Sequence, residues 1–197
     1  MRIPRTSFLM LGIFSLLLGV IYPLAVTGIA TLVWPHQANG SLLERRTANG
    51  ERRMAVGSAL IGQQFSAPGY FHGRPSECGY DASHSAGLNL GPTNPVLLAR
   101  VRARVDSIRT EEGLPVGAPV PADLVLASGS GLDPDISPRS ALLQFGRVAR
   151  TRGLDPALVR SLVLRNVDQP FLGVFGQPRV NVLKLNLALD SMSSEAK

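Results

Sequence analysis

From Phe8 to Val33 the chain runs 26 residues without a charge. About 20 apolar residues cross the hydrocarbon core of a bilayer, so this run predicts one transmembrane helix over residues 8–34. Trp34 closes it where an interfacial aromatic sits. Pro23 lies inside the run and predicts a kink, which membrane helices tolerate. Gly12, Ser15 and Gly19 are small residues at helical spacing, a candidate face for close packing on another membrane helix; the plainer reading is that glycine is simply common in such helices. A cleaved signal peptide ending near Gly28-Ile29-Ala30 is the rival reading, but a signal core is about 7–15 residues and this run is far longer.

Past the span the pattern changes period. Residues 35–53 are polar and turn-rich, with Asn39-Gly40 and Asn49-Gly50, and read as a linker. A domain over 54–197 follows. Val56–Ile61 and Leu124–Leu126 are short apolar runs that predict strands, and Tyr70-Phe71 can start another. Arg74–Gly91, dense in Ser, Gly, Asn and Asp, reads as a long ordered loop. Three helices share one start signal: Asn94-Pro95, Ser137-Pro138 and Asp155-Pro156 each set a capping residue before a first-turn proline. Leu97, Val101, Val105 and Ile108 give the first its stripe, with Gly113 as its stop. Leu142, Phe145, Val148 and Ala149 give the second, with Gly153 after it. Leu158, Val159, Leu162 and Val163 give the third. Val180–Leu189 is ambiguous. Its leucines alternate as in a strand, yet Asn181 can cap a helix, and the balance favours helix. The tail Ser191–Lys197 is expected to fray. The fold class is therefore α+β: one N-terminal transmembrane helix, then a compact domain with a small sheet and three to four helices.

Charge orients the chain. Arg2 and Arg5 precede the span, and the next basic residues are Arg45 and Arg46. The positive-inside rule puts residues 1–7 in the cytoplasm and the domain outside. Of 20 basic residues 18 are arginine, and the formal net charge is +6. Arg100, Arg102, Arg104 and Arg109 cluster on one predicted helix. Few aromatics interleave with them, so a solvated or partner-facing side fits better than a nucleic-acid surface. Cys78 is the only cysteine, which excludes an internal disulfide and a cysteine metal site.

The densest stretch is Pro121–Pro138. Ser128, Gly129, Ser130, Gly131 and Asp133 form a candidate binding loop, because amides ahead of a helix can face an anion. The stretch lacks the lysine and spacing of a P-loop. Asp133 and Asp135 resemble an acid/base pair, but Asp before Pro is ordinary turn chemistry. Ser130 lacks the glycine two residues before it that a nucleophile elbow requires. His72, Asp81 and His84 match no standard zinc spacing, so no metal is expected. No catalytic residue is assigned.

At these residues the chain resembles the family of C subunits (KdpC) of Kdp-type potassium-transporting ATPases. The resemblance is carried by WPHQANGSL (34–42), GSALIGQQF (57–65), YFHGRPS (70–76), NLGPTNP (89–95), PADLV (121–125), ASGSGLDPDISP (127–138), QFGRVARTRG (144–153) and VNVLKLNLALD (180–190). It departs from the family pattern at Leu126, where threonine is usual, at Asp135, where histidine is usual, near Ser85–Leu88 and at Glu77-Cys78. The resemblance implies a non-catalytic subunit of a bacterial inner-membrane complex. Its companions would be an ATP-hydrolysing P-type subunit, a potassium-channel-like subunit and a small membrane peptide. It also implies a catalytic chaperone that raises ATP affinity in the hydrolysing subunit, with ATP association on that ground alone. The residues agree in one respect: neither a phosphorylated Asp-Lys-Thr-Gly-Thr motif nor a Thr-Val-Gly-Tyr-Gly filter is present. The alternatives are a membrane-anchored extracytoplasmic hydrolase and a stand-alone binding module.

Overall fold

A computed structural model describes residues 2–46 and 53–195. The chain divides into two compact units, Met1–Ser58 and Ala59–Lys197.

The first unit opens with helix α1 (Arg2–Leu16), a π-helical turn (Leu17–Ile21) and helix α2 (Tyr22–Val33). The stretch Pro4–Val33 is long and apolar enough to cross a membrane. The π turn answers to Pro23. Proline has no N–H for the carbonyl four residues back, and its ring collides with that carbonyl. Widening the preceding turn relieves the collision, and the Tyr22 amide bonds Leu17 O, five residues back. Residues 35–53, expected as a linker, carry structure of their own. Helix α3 (Pro35–Ala38) is followed by strand β1 (Leu42–Arg46), which pairs antiparallel with β2 (Arg53–Ser58). The expected strand at Val56–Ile61 is thus β2, ending at Ser58. Asn49-Gly50 lies outside the described residues.

In the second unit the three proline-started helices form as expected: α4 (Pro95–Glu112), α6 (Pro138–Arg152) and α7 (Pro156–Arg165). The side chains of Asn94, Ser137 and Asp155 accept hydrogen bonds from Val96 N, Ser140 N and Ala157 N. Each cap satisfies a helix-start amide that would otherwise lack a partner. Gly113 (φ 68°) and Gly153 (φ 65°) close α4 and α6 in the left-handed conformation, which only glycine adopts cheaply. Val180–Leu189 resolves into strand β5 (Arg179–Asn181) and helix α8 (Val182–Glu195). Asn181 Oδ1 caps α8 by accepting from Lys184 N at 3.1 Å. Val182, Leu185 and Leu189 are buried at helical spacing, which defeats the alternating reading. The helix continues through Ser191 to Glu195, where fraying was expected.

The sheet is small: β5 lies between β3 (Asp135–Ile136) and β4 (Val167–Asp168), antiparallel to both. Phe71, Ile136, Val148, Val159, Val163, Val180, Leu185 and Leu189 meet in one core. Two expected strands are absent. Leu124–Leu126 is instead the end of a helical turn, α5 (Ala122–Val125), with Leu126 N bonded to Ala122 O. Asp123 fixes it by accepting from Ser137 N and Ser140 Oγ. Tyr70-Phe71 is extended but joins no ladder, because side-chain amides take the place of a neighbouring strand. Asn186 accepts from Phe71 N at 2.9 Å and donates to Phe71 O at 3.0 Å. Gln144 does the same for His72, at 2.8 and 3.1 Å. The buried stripe of α6 also differs from expectation. Leu142 and Phe145 are half-buried, while Ser140, Gln144 and Arg147 are buried.

Candidate functional site

The loop Ser128–Gly131 is clamped by segments far from it in sequence. Ala86 N donates to Ser130 O at 3.0 Å, Ser85 Oγ to the same oxygen at 3.1 Å, and Gly62 N to Leu132 O at 2.8 Å. The approach is close enough to exclude side chains. A Cβ on Gly131 (φ 71°) would stand 2.6 Å from Cys78 Sγ, and one on Gly87 would stand 2.6 Å from Gly129 O. Ser130, exposed, accepts Leu132 N through its Oγ at 3.1 Å, a local turn contact. Asp133 accepts Asp135 N at 3.0 Å, an Asx turn, and pairs with Arg74 at 2.8 Å. Asp135 faces other partners, Asn181 Nδ2 at 3.2 Å and Arg179 Nε at 3.1 Å. Burial pushes its carboxyl above the ordinary range, against the Asn181 bond and the Arg179 charge.

The loop does not open directly onto a helix, since β3 intervenes before α6. The start of α6 already holds an anion, Asp123. Burial raises the pKa of that carboxyl, but the hydrogen bonds from Ser140 and Ser137 outweigh burial and hold it below the usual value. A second phosphate-like charge there would meet this carboxylate.

Beside α4 lies a cleft of about 330 Å³, lined by Phe65, His72, Arg74, Tyr80, Arg104, Glu111 and Glu112 among others. Glu112, which lines it, forms a buried ion pair with Arg147, 2.8 Å apart with side chains 4 % and 3 % exposed. The Arg147 guanidinium also donates to Pro68 O, Tyr70 O and Gln144 Oε1. The second Glu112 oxygen and Arg74 Nε are buried without a hydrogen-bond partner. Burial pushes the Glu112 carboxyl up, and the Arg147 contact only partly offsets it. Burial and then the Arg147 charge lower the pKa of His72, which sits 3.4 Å from Glu111. Tyr80 donates to Arg74 O, and burial raises its pKa. The cleft is equipped to orient a small polar group. It presents no nucleophile–base pair.

His72 and His84 have separate partners. His84 sits in an exposed turn with Ser83 and Asp81: Ser83 Oγ lies 2.8 Å from His84 Nδ1, and Asp81 lies 3.5 Å from that same nitrogen. A hydrolytic relay needs the serine on one ring nitrogen and the acid on the other, so this cluster is a turn. Among the described residues no three His, Cys, Asp or Glu are grouped to hold a metal ion. Gly12 and Gly19 have open space beside them, with Gly19 inside the π turn. Sequence reasoning missed the Gln144, Asn186 and Arg147 contacts. The signal was available, because each polar residue interrupts an apolar stripe where an unpaired group would be costly.

These features define a class: a chain with a helix long and apolar enough to cross a membrane and a small α+β domain in which the Ser128–Gly131 loop is clamped by distant segments. Within that class the chain belongs to the family of the K+-transporting ATPase c chain (KdpC), whose sequence model matches residues 4–191. A relative from Gemmatimonas aurantiaca is 54 % identical over 193 residues, covering 96 % of this chain and 93 % of its own. One from Caulobacter vibrioides is 53 % identical over 189 residues, covering 95 % and 92 %. One from Polaromonas naphthalenivorans is 52 % identical over 194 residues, covering 97 % and 95 %. Each bears the name potassium-transporting ATPase KdpC subunit.

Proposed function

We propose that this chain is the accessory, non-catalytic subunit of an ATP-driven potassium uptake complex in a bacterial inner membrane. One observation carries the reading: the family match spans residues 4–191 and so takes in both the anchor and the domain. The companions would be a P-type subunit that hydrolyses ATP, a channel-like subunit that carries potassium and a small membrane peptide. The Ser83–His84–Asp81 cluster, with both partners on His84 Nδ1, lacks the geometry of a hydrolytic relay.

The same reading includes a catalytic chaperone that raises ATP affinity in the hydrolysing subunit. Arg2 and Arg5 before the span support a cytoplasmic N-terminus and an extracytoplasmic domain, which separates the domain from ATP. The effect then has to pass through the membrane helix and the companion subunits. It requires that this chain bind one state of the complex more tightly than another. Linkage makes it reciprocal, so ATP tightens the chain's hold on the complex by the same factor. Ser128, Gly129, Ser130, Gly131 and Asp133 take a shaping role here, supported by the local bonds from Gly131 N to Ser128 O, Leu132 N to Ser130 Oγ and Asp135 N to Asp133. The test is the ATP dependence of potassium-stimulated hydrolysis, measured on the complex purified with and without this chain. Half-saturation should move to higher ATP when the chain is missing. An unchanged dependence refutes the chaperone role, and a photoreactive ATP analogue attaching to this chain refutes the indirect route.

A further inference from the structure

A hairpin tip between β4 and β5 exposes four large apolar side chains in five residues. Phe171, Leu172, Val174 and Phe175 are 72, 75, 76 and 66 % exposed. Other exposed apolar residues of the second unit, such as Leu60, Val116 and Leu158, are scattered along the sequence. The tip has a defined shape. Phe171 and Phe175 exchange two backbone hydrogen bonds, each 2.9 Å, and Val174 N bonds Phe171 O at 3.2 Å. Leu172 (φ 53°) and Gly173 (φ 74°) occupy the centre of this turn. Two consecutive positive φ angles call for Asn, Asp or Gly, and leucine there is strained. Local folding has no use for a leucine at that place.

We propose that this tip is an anchor that seats in an apolar pocket on a membrane-embedded companion subunit of the same ATPase, a reading that rests on the proposed function. Charge favours a protein over a lipid surface. The segment 168–178 carries no cation, and its only charge is Asp168. Arg179 beside it is paired with Asp135 at 3.1 Å. An anionic bilayer surface is held through unpaired Lys and Arg, which the tip lacks. Size favours a tethered partner over a free one. Four side chains offer on the order of a few hundred Å², while a stable interface buries about 1,200–2,000 Å² in total. Two such tips meeting in a second copy fall short of that. A partner held in the same bilayer meets the tip at high effective concentration, where a small anchor suffices. Aromatic side chains filling a pocket are the usual centres of such contacts.

The experiment uses the co-expressed complex in membranes. A benzophenone amino acid in place of Phe171 is photoactivated, and the products are identified by mass. Attachment to a companion subunit is expected. Attachment only to lipid, or only to a second copy of this chain, overturns the proposal. In parallel, the double variant Phe171→Ser/Phe175→Ser should reduce co-purified companions at least about tenfold, with an unchanged unfolding midpoint because the turn is held by backbone bonds. Val116→Ser, another exposed apolar position, should reduce nothing. Full co-purification by the double variant overturns the anchor. If the unaltered chain itself brings down no companion, the proposed function fails along with it.

Discussion

His72 joins the cleft to the core. Its backbone is held by Gln144 on α6, while its ring faces Glu111 on α4, Ala67 O and the Arg147 charge. Burial and Arg147 hold its pKa below the ordinary 6.5. The unfolded chain then takes up a proton near pH 6.5 that the folded chain refuses, so the unfolded state binds more protons there. Stability should be fully present above that pH and fall as the pH drops below it. His72→Asn keeps the backbone bonds and should flatten this dependence, read as the urea midpoint of the detergent-solubilised chain from pH 7.5 to 5.5. An equal slope in the variant places the titration elsewhere. Asp133 makes a different case. Asn in its place still accepts Asp135 N and gives up only the ion pair to Arg74, whose partners are 26 and 31 % exposed. Partly exposed pairs contribute about 1 kcal/mol or less. Asp133→Asn should therefore leave potassium-stimulated ATP hydrolysis near normal, whereas a general acid would lose orders of magnitude.

Elements held by local chemistry were the legible ones. The starts of α4, α6 and α7 and the stops of α4 and α6 lie within a few residues of the capping groups that cause them. Asn181 likewise announced α8. What stayed hidden depends on partners distant in sequence. Phe71 is an extended residue whose ladder is the side chain of Asn186, 115 positions on, and no window around Tyr70 contains that information. Leu124–Leu126 has a strand's composition but turns helical because Asp123 is tied to Ser137 and Ser140. At the candidate site the density of Ser, Gly and Asp was visible, but not the clamps from Gly62, Ser85 and Ala86. Asn186→Leu tests the surrogate ladder. It leaves the Phe71 N–H and C=O unpaired, at about 1–3 kcal/mol for each, and should lower the chemical-denaturation midpoint accordingly. A variant as stable as the parent would mean the ladder contributes nothing. In the membrane helix, Gly19→Leu should weaken the complex by about 1–3 kcal/mol if Gly12, Ser15 and Gly19 form a packing face. Unchanged co-purification in detergent assigns that face to lipid. The π turn bears on this, because it breaks the 3.6-residue period between Ser15 and the residues after Gly19.

For the whole molecule, the question is which side of the membrane holds the second unit. Protease added outside spheroplasts should digest the domain while the first residues stay protected; protection until lysis would reverse the orientation and bring the domain to the compartment of ATP. The surrogate ladder has a further consequence, in the order of assembly. Synthesis proceeds from the N-terminus, so Phe71 leaves the ribosome long before the two atoms that complete its hydrogen bonds. At about 5–20 residues per second, a separation of 115 positions amounts to a delay of roughly 6–23 seconds. During that interval the most buried aromatic ring of the core waits beside an open backbone. Protection of the Phe71 amide from deuterium exchange on stalled nascent chains should therefore appear only after Asn186 has emerged, timing the closure of the domain by one proton.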